Sequence, residues 1–353
     1  AATVLQELGA IDGNGRPTPL GRAMAQVPAH PRLGALAVRG NEEGHGWTAA
    51  VLAAVLEERD VLRGHPDELP ADLGPRVELV GSKGAKHPHA DRGARSRARR
   101  RADQIARRLR IVNGQLDLDA VGRLTALAYP ERIAQAGGGT GYRLRGGGGG
   151  QLADRDPLAT SSYLAVARIE AARAGPAIRL AAHLDADEVA GLVAGDQTER
   201  VTLRWDPDRN DVRARREQVS GALTLSSRDG RATPGPETTA LVVDQIRSTG
   251  GQLLPWTAGA RTLQQRLAFL HAHDPARWPD VSDAALLAGL EDWFVPLVPG
   301  LRGRADLDRL DMAGALQLMV DGAERSHIAR LAPTALTTPT GQSVRTSYED
   351  GPP

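Results

Sequence analysis

The residues best suited to binding chemistry in this chain of 353 residues are arginines concentrated between positions 92 and 110. Nine arginines lie in that stretch against a single acid, Asp103. A guanidinium group can bond two oxygens of one phosphate, so a helix carrying several of them suits a nucleic-acid backbone. We predict such an interface here, with the candidate residues Arg97, Arg99, Arg100, Arg101 and Arg107. A solvated basic face, or one that pairs with acids of a neighbouring domain, is the competing interpretation.

A second group mixes arginine with aromatic residues in a segment predicted to form strands. Its candidate binding residues are Tyr142, Arg143 and Arg145, and similar residues recur between positions 205 and 216. Bases stack on aromatic rings and on guanidinium planes in barrels that bind single strands. Aromatic residues make up only 3% of the chain, so we expect no rich stacking platform. Trp205 is interpreted as a packing residue.

Recognisable catalytic motifs are missing from the sequence. It has no Walker A motif, no GxSxG nucleophile elbow and no HExxH zinc motif. Cysteine is absent, which excludes disulfides and thiolate metal sites. The close pairs His87 with His89 and His271 with His273 lack further ligands and are interpreted as solvent-facing, and the charged residues 57–60 as a solvated helix end. We expect no catalytic residue, cofactor or metal in this chain and no enzyme activity of the chain alone.

Charge is balanced over the whole chain but not along it. The formal net charge is +1, yet residues 76–145 carry 16 basic and 6 acidic side chains. The flanking segments 1–75 and 146–353 have net charges of −4 and −5. Such asymmetry indicates a polyanionic partner for the middle segment. No run of 18 apolar residues and no signal peptide occurs, so we expect no membrane partner.

The first 136 residues are predicted to be mainly helical. Thr18 is expected to cap a helix with Pro19 at its first position. Helical periodicity also appears over residues 3–9, 47–62, 95–112 and 119–128. The helix with most of the arginines is expected to bury one narrow apolar stripe. The stripe consists of Ala98, Ala102, Ile105, Leu109 and Val112.

The pattern changes from helix to strand near residue 137. Two glycine clusters, 137–141 and 146–150, are interpreted as a flexible connection between domains. Short strands are then predicted over residues 162–170, 177–184, 200–205, 212–219 and 221–227. A hairpin turn is expected at 206–211, and the number of short strands favours a small OB-like barrel. Helical periodicity returns from residue 236, and the C-terminus is expected to form two short strands around Thr340 and Gly341.

Several segments resemble the region that follows the motor core of DEAH/RHA-type ATP-dependent helicases. LQELGAIDGNGRPTPLGRAMAQVPAHPRLGALAV (5–38) is similar to the end of their winged helix and the start of their helical ratchet, and VLAAVLEERDVL (51–62) to a later ratchet segment. Four further segments point to the bacterial HrpB family. They are LTALAYPERIAQ (124–135), YRLRGGGGGQLADRDPLATSSYLAVA (142–167), WPDVSDAALLAGLEDWFVPLVPGL (278–301) and LAPTALTTPTGQSVRTSYEDGPP (331–353).

The resemblance implies an α+β, multidomain fold. The expected layout is a winged-helix remnant (1–34), a helical ratchet or HA2-like domain (35–136), an OB-like β-barrel (137–235) and a mostly helical C-terminal domain (236–353), the last of them truncated. Family members carry their ATPase motifs in RecA-like domains upstream of these segments, so we expect ATP and Mg²⁺ to bind only there. The chain also begins without Met inside an apolar periodic pattern, and we expect it to be a fragment.

The implied function is that of the accessory C-terminal half of a helicase. Its expected partners are single-stranded RNA, or DNA, and the upstream RecA-like domains of the same protein, in the cytoplasm. Residues 132–139 depart from a more basic family stretch, which weakens the expectation of RNA contacts at 135–139. The alternative is a protein-interaction scaffold that docks on the motor or on another partner without binding RNA itself.

Overall fold

The computed structural model describes residues 2–112 and 114–348. The chain divides into two compact units. The first comprises the chain up to Glu199 together with Gln218–Ser226, and the second comprises Arg200–Glu217 and the chain from Ser227 onward. Residues 349–353, which end the last segment of the family resemblance, lie outside the described residues.

Helices form the N-terminal part of the first unit, as predicted. They are α1 (Ala2–Glu7), α2 (Pro19–Met24), α3 (Pro31–Glu42), α4 (Gly46–Glu57), α5 (Gly74–Gly81), α6 (Arg92–Leu109) and α7 (Ala120–Ala128). The predicted cap of α2 is confirmed, because the Thr18 hydroxyl accepts a hydrogen bond from the Gly21 amide at 3.0 Å. Helix α4 is buried from Gly46 to Val55 and packs against α3 and α6. This buried helix holds the arginine-rich α6 in place.

The buried stripe of α6 is made mainly of small residues. It consists of Ala94, Ala98, Ala102, Ile105 and Ala106. The prediction that Val112 continues this stripe is wrong. The helix ends at Leu109 because Arg110 adopts a left-handed backbone conformation with φ of 56°, and the Val112 side chain is 85% exposed.

A closed five-stranded barrel follows the helices in the first unit. Its strands are β1 (Ile133–Gly138), β2 (Gly141–Leu144), β3 (Gly149–Gln151), β4 (Tyr163–Ala172) and β5 (Gly175–Leu184). They are hydrogen-bonded in the order β1-β2-β3-β5-β4, and β4 pairs with β1 to close the barrel. The β3–β5 pair is parallel and the other pairs are antiparallel.

The two glycine clusters belong to this barrel, so their interpretation as a flexible connection between domains is wrong. They form parts of β1, β2 and β3 and the turns between these strands. Gly138, Gly139, Gly147 and Gly148 have positive φ angles, which other residues rarely adopt. Tight turns between short strands therefore explain why glycine is concentrated here.

Helix α7 packs against β4 and β5 of the barrel. Gly122 allows this close approach, because a Cβ atom at that position would lie 1.8 Å from the carbonyl oxygen of His183. The helices and the barrel consequently share one apolar cluster, to which β5 contributes Leu180 and Ala182.

The remaining strands do not extend the barrel. After α8 (Ala186–Leu192) come β6 (Thr198–Asp206), β7 (Asp211–Ser220) and β8 (Leu223–Arg231), which form a separate sheet in the order β6-β7-β8. The segment 137–235 predicted as one barrel thus holds two sheets. The predicted hairpin turn at 206–211 is confirmed, since residues 207–210 join β6 to β7.

Helices dominate the rest of the second unit, as predicted. They are α9 (Pro236–Ser248), α10 (Ala258–His273), α11 (Asp283–Ala288), α12 (Leu290–Trp293), α13 (Arg304–Leu307), α14 (Met312–Leu318), α15 (Gly322–Arg325) and α16 (Ile328–Leu331). The predicted strands around Thr340 are confirmed as β9 (Ala335–Thr337) and β10 (Ser343–Arg345). None of the helices in the described part of the chain is long and apolar enough to cross a membrane.

Candidate nucleic-acid interface

Helix α6 begins at a well-bonded cap. The Asp91 carboxylate accepts hydrogen bonds from the amides of Gly93 and Ala94, at 2.9 and 3.0 Å. It also accepts one from Nε of Arg63 at 2.6 Å. The Ala94 amide and the Arg63 guanidinium hold the pKa of this carboxyl below its usual value. A negative charge at the N-terminal end interacts favourably with the positive end of the helix dipole and so stabilises this arginine-rich helix.

The side of α6 opposite its alanine stripe carries exposed arginines. Arg100 and Arg107 lie there, and neither makes a hydrogen bond or ion pair within residues 2–112 and 114–348. Three further exposed arginines share this property, and the sequence analysis did not select them: Arg92, Arg108 and Arg110. At 1.5 Å per residue, the rise from Arg92 to Arg108 is about 24 Å. Around the axis, Arg92 and Arg108 lie about 80° to either side of Arg100, and Arg110 follows the end of the helix. We call these five residues the free arginine row.

The other predicted α6 residues are bonded to neighbouring elements. Arg97 and Arg101 both pair with Glu58, at 3.4 and 3.3 Å, and Arg101 also donates to the carbonyl oxygen of Pro28. Arg99 donates to the carbonyl oxygen of Gly81 and lies over the Trp47 ring, 4.7 Å from its centroid. These three arginines therefore hold α6 against the helices around it.

The charged residues 57–60 are more than a solvated helix end, which corrects that interpretation. Glu58 makes the two ion pairs with α6, and Asp60 receives a forked pair of hydrogen bonds from Arg76. Arg76 is 1% exposed, and its Nη1 donates to the carbonyl oxygens of Pro70 and Asp72 at 2.7 and 2.8 Å. No sequence pattern indicates this pairing, because Asp60 lies 16 residues before Arg76, in the loop that follows α4.

A cleft of about 490 Å³ opens beside the N-terminal end of α6. Its walls carry Arg59 and Arg63 from the helical part and Arg168 from β4. Arg59 and Arg168 form no ion pair or hydrogen bond with any residue that the structure describes. Arg63 links the cleft to the cap of α6 through Asp91. Positive side chains thus continue from the barrel wall towards the free arginine row.

The barrel places its three predicted residues in three different environments. Tyr142 is 4% exposed, and its hydroxyl lies 2.9 and 2.8 Å from the carbonyl oxygens of Leu158 and Ser161, so it cannot stack on a base. Arg145 donates to the Ser220 hydroxyl at 2.9 Å and pairs with Asp196. Arg143 is exposed and has no bonded partner in the described ranges.

A metal centre finds no support in the described residues. No group of three or more His, Asp or Glu side chains among them could hold an ion. His89 and His273 are exposed, whereas His87 and His271 are half-buried. Nδ1 of His271 lies 2.8 Å from the carbonyl oxygen of Trp278, so packing accounts for that side chain.

Comparison with known proteins gives a consistent result over the whole chain. No family model matches it. ATP-dependent RNA helicase HrpB of Escherichia coli strain K12 is 30% identical over 361 residues, covering 100% of this chain and 42% of the relative. Two crystal structures, titled as E. coli DExH-box NTPase HrpB and E. coli DEAH/RHA helicase HrpB, match with TM-scores of 0.51 and 0.52 and identities of 29% and 28%. Each match covers 99% of this chain and 42% of the solved chain. The resemblance to the C-terminal part of HrpB is therefore confirmed, and the chain spans less than half the length of these relatives.

Proposed function

Since the whole chain matches the C-terminal part of the DEAH/RHA helicase HrpB, we propose that it is the accessory C-terminal region of an ATP-dependent RNA helicase. In this proposal it binds single-stranded RNA and supports unwinding by RecA-like domains encoded upstream. Those domains would bind ATP and Mg²⁺, and both parts would act in the cytoplasm. The observation that carries the RNA-binding step is the free arginine row of α6.

The position of Arg100 favours phosphate as the ligand of this row, although the helix dipole alone accounts for positive charge at the C-terminal end. Arg107, Arg108 and Arg110 lie near the C-terminal end of α6, where a positive charge also stabilises the helix dipole. Arg100 lies in the middle of the helix, where the dipole offers no such benefit, and no acid in the described residues pairs with it. An exposed arginine without a partner is available for a phosphate oxygen, and several in a row follow a backbone.

The barrel supports a second part of the same track. Its closed order β1-β2-β3-β5-β4 favours an OB-type barrel, a fold that binds oligonucleotides through the β2–β3 face and the β1–β2 and β4–β5 loops. Arg143 lies on β2, and exposed Arg173 lies in the turn between β4 and β5. We include both in the proposed interface and leave out Tyr142, which is buried in the barrel, and Arg145, which is bonded to Ser220 and Asp196 outside it. The assignment of the helical part as a winged-helix remnant and an HA2-like ratchet remains part of this proposal.

Fluorescence anisotropy of a labelled single-stranded RNA at about 50 and 200 mM salt tests the proposal. If each of the five free arginines meets one phosphate, the slope of log K against log salt is about −3.5, so binding weakens about a hundredfold over this range. The double variant Arg100→Glu/Arg107→Glu should lose at least tenfold in affinity at the lower salt. Arg16→Glu/Arg155→Glu changes the charge equally at two exposed arginines outside α6 and is the matched control. Equal affinity of the two variants would overturn the α6 site.

A second candidate function is docking on the motor or on another protein. Exposed apolar side chains of the second unit favour it: Leu318 is 58% exposed, and Leu336 and Val344, which face each other on β9 and β10, are each 52% exposed. Such residues can anchor a protein interface. A stable complex with the separately produced motor half, lost in Leu336→Ser/Val344→Ser, together with no RNA binding by this chain alone, would favour the scaffold.

A further inference from the structure

The β6–β7 hairpin of the second unit has one face in the core and one face exposed. Leu203 and Trp205 of β6, with Val212 and Ala214 of β7, pack into the apolar cluster of that unit. Successive side chains of a strand point to opposite faces. Arg204, between Leu203 and Trp205, and Arg213, between Val212 and Ala214, therefore point away from the core.

By strand alternation, four arginines of the hairpin share this face: Arg200, Arg204, Arg213 and Arg215. The Glu217 carboxylate on the same face accepts hydrogen bonds from Nη2 of Arg200 at 2.9 Å and from Nε of Arg215 at 3.2 Å. Asp206 and Asp211, at the turn end of the face, pair with Arg209 and Arg231 instead. Arg204 and Arg213 have no ion pair or hydrogen bond to any described residue. The carboxylates thus leave these two arginines unpaired.

The two unpaired arginines occupy facing positions. Strand β6 ends at Asp206 and its neighbour β7 begins at Asp211, with the turn 207–210 between them. Counting two residues back from each of these ends sets Arg204 opposite Arg213. Strands lie about 4.8 Å apart, so both guanidinium groups can reach the same oxygen atoms. Like charges directly opposite each other destabilise a sheet, and neither guanidinium forms an ion pair with a described residue.

We propose that this hairpin face, defined by Arg200, Arg204, Arg213 and Arg215, is a second binding surface for the phosphate backbone of single-stranded RNA. A phosphate between Arg204 and Arg213 would accept hydrogen bonds from both and remove their repulsion. Arg215 lies two residues from Arg213, about 6.6 Å along the strand, and would contact the RNA further on. The surface shares its ligand class with the α6 site but rests on different residues in the other unit.

The composition of the face favours RNA over an acidic protein. Protein interfaces have an apolar core, in which aromatic side chains are enriched. On this face the residue between Arg200 and Arg204 is Thr202, whereas Val201, which is 48% exposed, and Trp205 alternate onto the opposite face. Arginine without apolar neighbours is the pattern of backbone binding, which gives affinity without reading bases.

Anisotropy of a labelled single-stranded oligouridylate of about 20 nucleotides, longer than the site of one barrel, tests this surface in the full chain. Arg204→Ala/Arg213→Ala should bind about tenfold more weakly at low salt, and its salt slope should fall by about 1.4, which corresponds to two lost contacts. Arg330→Ala/Arg345→Ala removes the same charge from two exposed, unpaired arginines of the second unit and should bind as the parent does. The melting temperature of Arg204→Ala/Arg213→Ala should not fall, because the substitution removes a repulsion.

The outcomes separate this surface from the α6 site. If Arg204→Ala/Arg213→Ala loses no more RNA affinity than Arg330→Ala/Arg345→Ala, the second surface is overturned. This holds whether or not Arg100→Glu/Arg107→Glu weakens RNA binding. If Arg204→Ala/Arg213→Ala loses RNA affinity and Arg100→Glu/Arg107→Glu does not, the second surface is supported and the α6 site is overturned. If the hairpin variant keeps its RNA affinity but loses binding to labelled poly-glutamate, the partner is an acidic protein and the proposal is wrong.

Discussion

The solvent face of α6 and the interior of the first unit use the same kinds of side chain in opposite ways. Inside the unit, Arg76 fills its donors with Asp60 and two backbone carbonyls, and Arg145 does the same with Ser220 and Asp196. On α6, Arg100 and Arg107 point to solvent without a partner in the described chain. An arginine whose donors are all bonded holds the fold together, whereas one without partners is available to a ligand.

The contrast shows that arginine density alone does not locate an interface. Within α6 itself, Arg101 is bonded to Glu58 and to a carbonyl, while its neighbour Arg100 is not. The two residues differ by 100° around the helix axis, and that rotation decides which one meets another element. Substitutions on the two sides should therefore separate stability from RNA affinity.

The largest effect on stability is expected at Arg76. Arg76→Ala leaves the Asp60 carboxylate and the carbonyl oxygens of Pro70 and Asp72 without their donor inside the protein. Breaking a buried pair in this way costs about 3–5 kcal/mol of unfolding free energy. Urea denaturation followed by circular dichroism measures the loss. Arg59→Ala, at an exposed arginine without a described partner, should stay within about 0.5 kcal/mol of the parent. A similar small loss for Arg76→Ala would contradict the internal role.

Tyr142→Phe should have the next largest effect, and this effect should be on stability alone. Burial, with a smaller contribution from Asp156, raises the pKa of the Tyr142 phenol, so the hydroxyl remains a donor at neutral pH. Its loss leaves the buried carbonyls of Leu158 and Ser161 with one donor fewer, which costs about 1–3 kcal/mol. Urea unfolding measures this loss.

The matching substitution for Tyr142→Phe is Arg143→Ala on the exposed face of the same strand. It should leave the unfolding free energy unchanged within about 0.5 kcal/mol and weaken RNA binding instead. Anisotropy on both variants completes the test. Weaker RNA binding by a folded Tyr142→Phe protein would show that the ring takes part in recognition after all.

Local patterns were enough to predict most of the long helices of this fold. Thr18 followed by Pro19 has the chemistry of a helix start, and the structure has that cap. The spacing of Ala98, Ala102 and Ile105 predicted the buried side of α6, since one helix periodicity decides which residues lie together. The same patterns predicted the order of helices, strands and further helices, and the family resemblance implied the layout of domains.

The failures concern residues whose environment is set by distant parts of the chain. The glycine clusters have the composition of a linker, and only strand pairing shows that they are barrel turns. Tyr142 and exposed Arg143 point to opposite faces of β2, and Arg145 follows that strand and is bonded to Ser220 and Asp196. The neighbours of these residues come from distant parts of the chain, so the sequence did not show which side chains were buried. The role of Arg76 could not be predicted because its acid partner, Asp60, lies 16 residues earlier in a loop.

Neighbouring arginines of α6 provide a smaller but sharper test. Arg101→Ala removes an ion pair with Glu58 and a hydrogen bond to Pro28 and should cost about 1 kcal/mol of stability with little change in RNA affinity. Arg100→Ala should leave stability unchanged and weaken RNA binding several-fold. Each substitution introduces alanine on the same helix and removes one positive charge, so each is the control for the other. If both variants lose RNA affinity equally, net charge rather than the free arginine row determines binding.

The smallest effect is expected from the charge at the cap of α6. The Ala94 amide and Arg63 lower the pKa of Asp91 in the folded protein, so its charged form contributes stability above the unfolded pKa of about 3.9. That contribution is lost as the pH falls through the lower folded pKa. Asp91→Asn keeps a capping oxygen but no charge, so its deficit in unfolding free energy should be present at pH 7 and vanish once the pH is below the lowered folded pKa. Urea unfolding at several pH values measures the difference, with Asp154→Asn as the control for losing an exposed carboxylate of the same unit. If the deficit in unfolding free energy stays constant with pH, the capping geometry and not the negative charge of Asp91 stabilises the start of this basic helix.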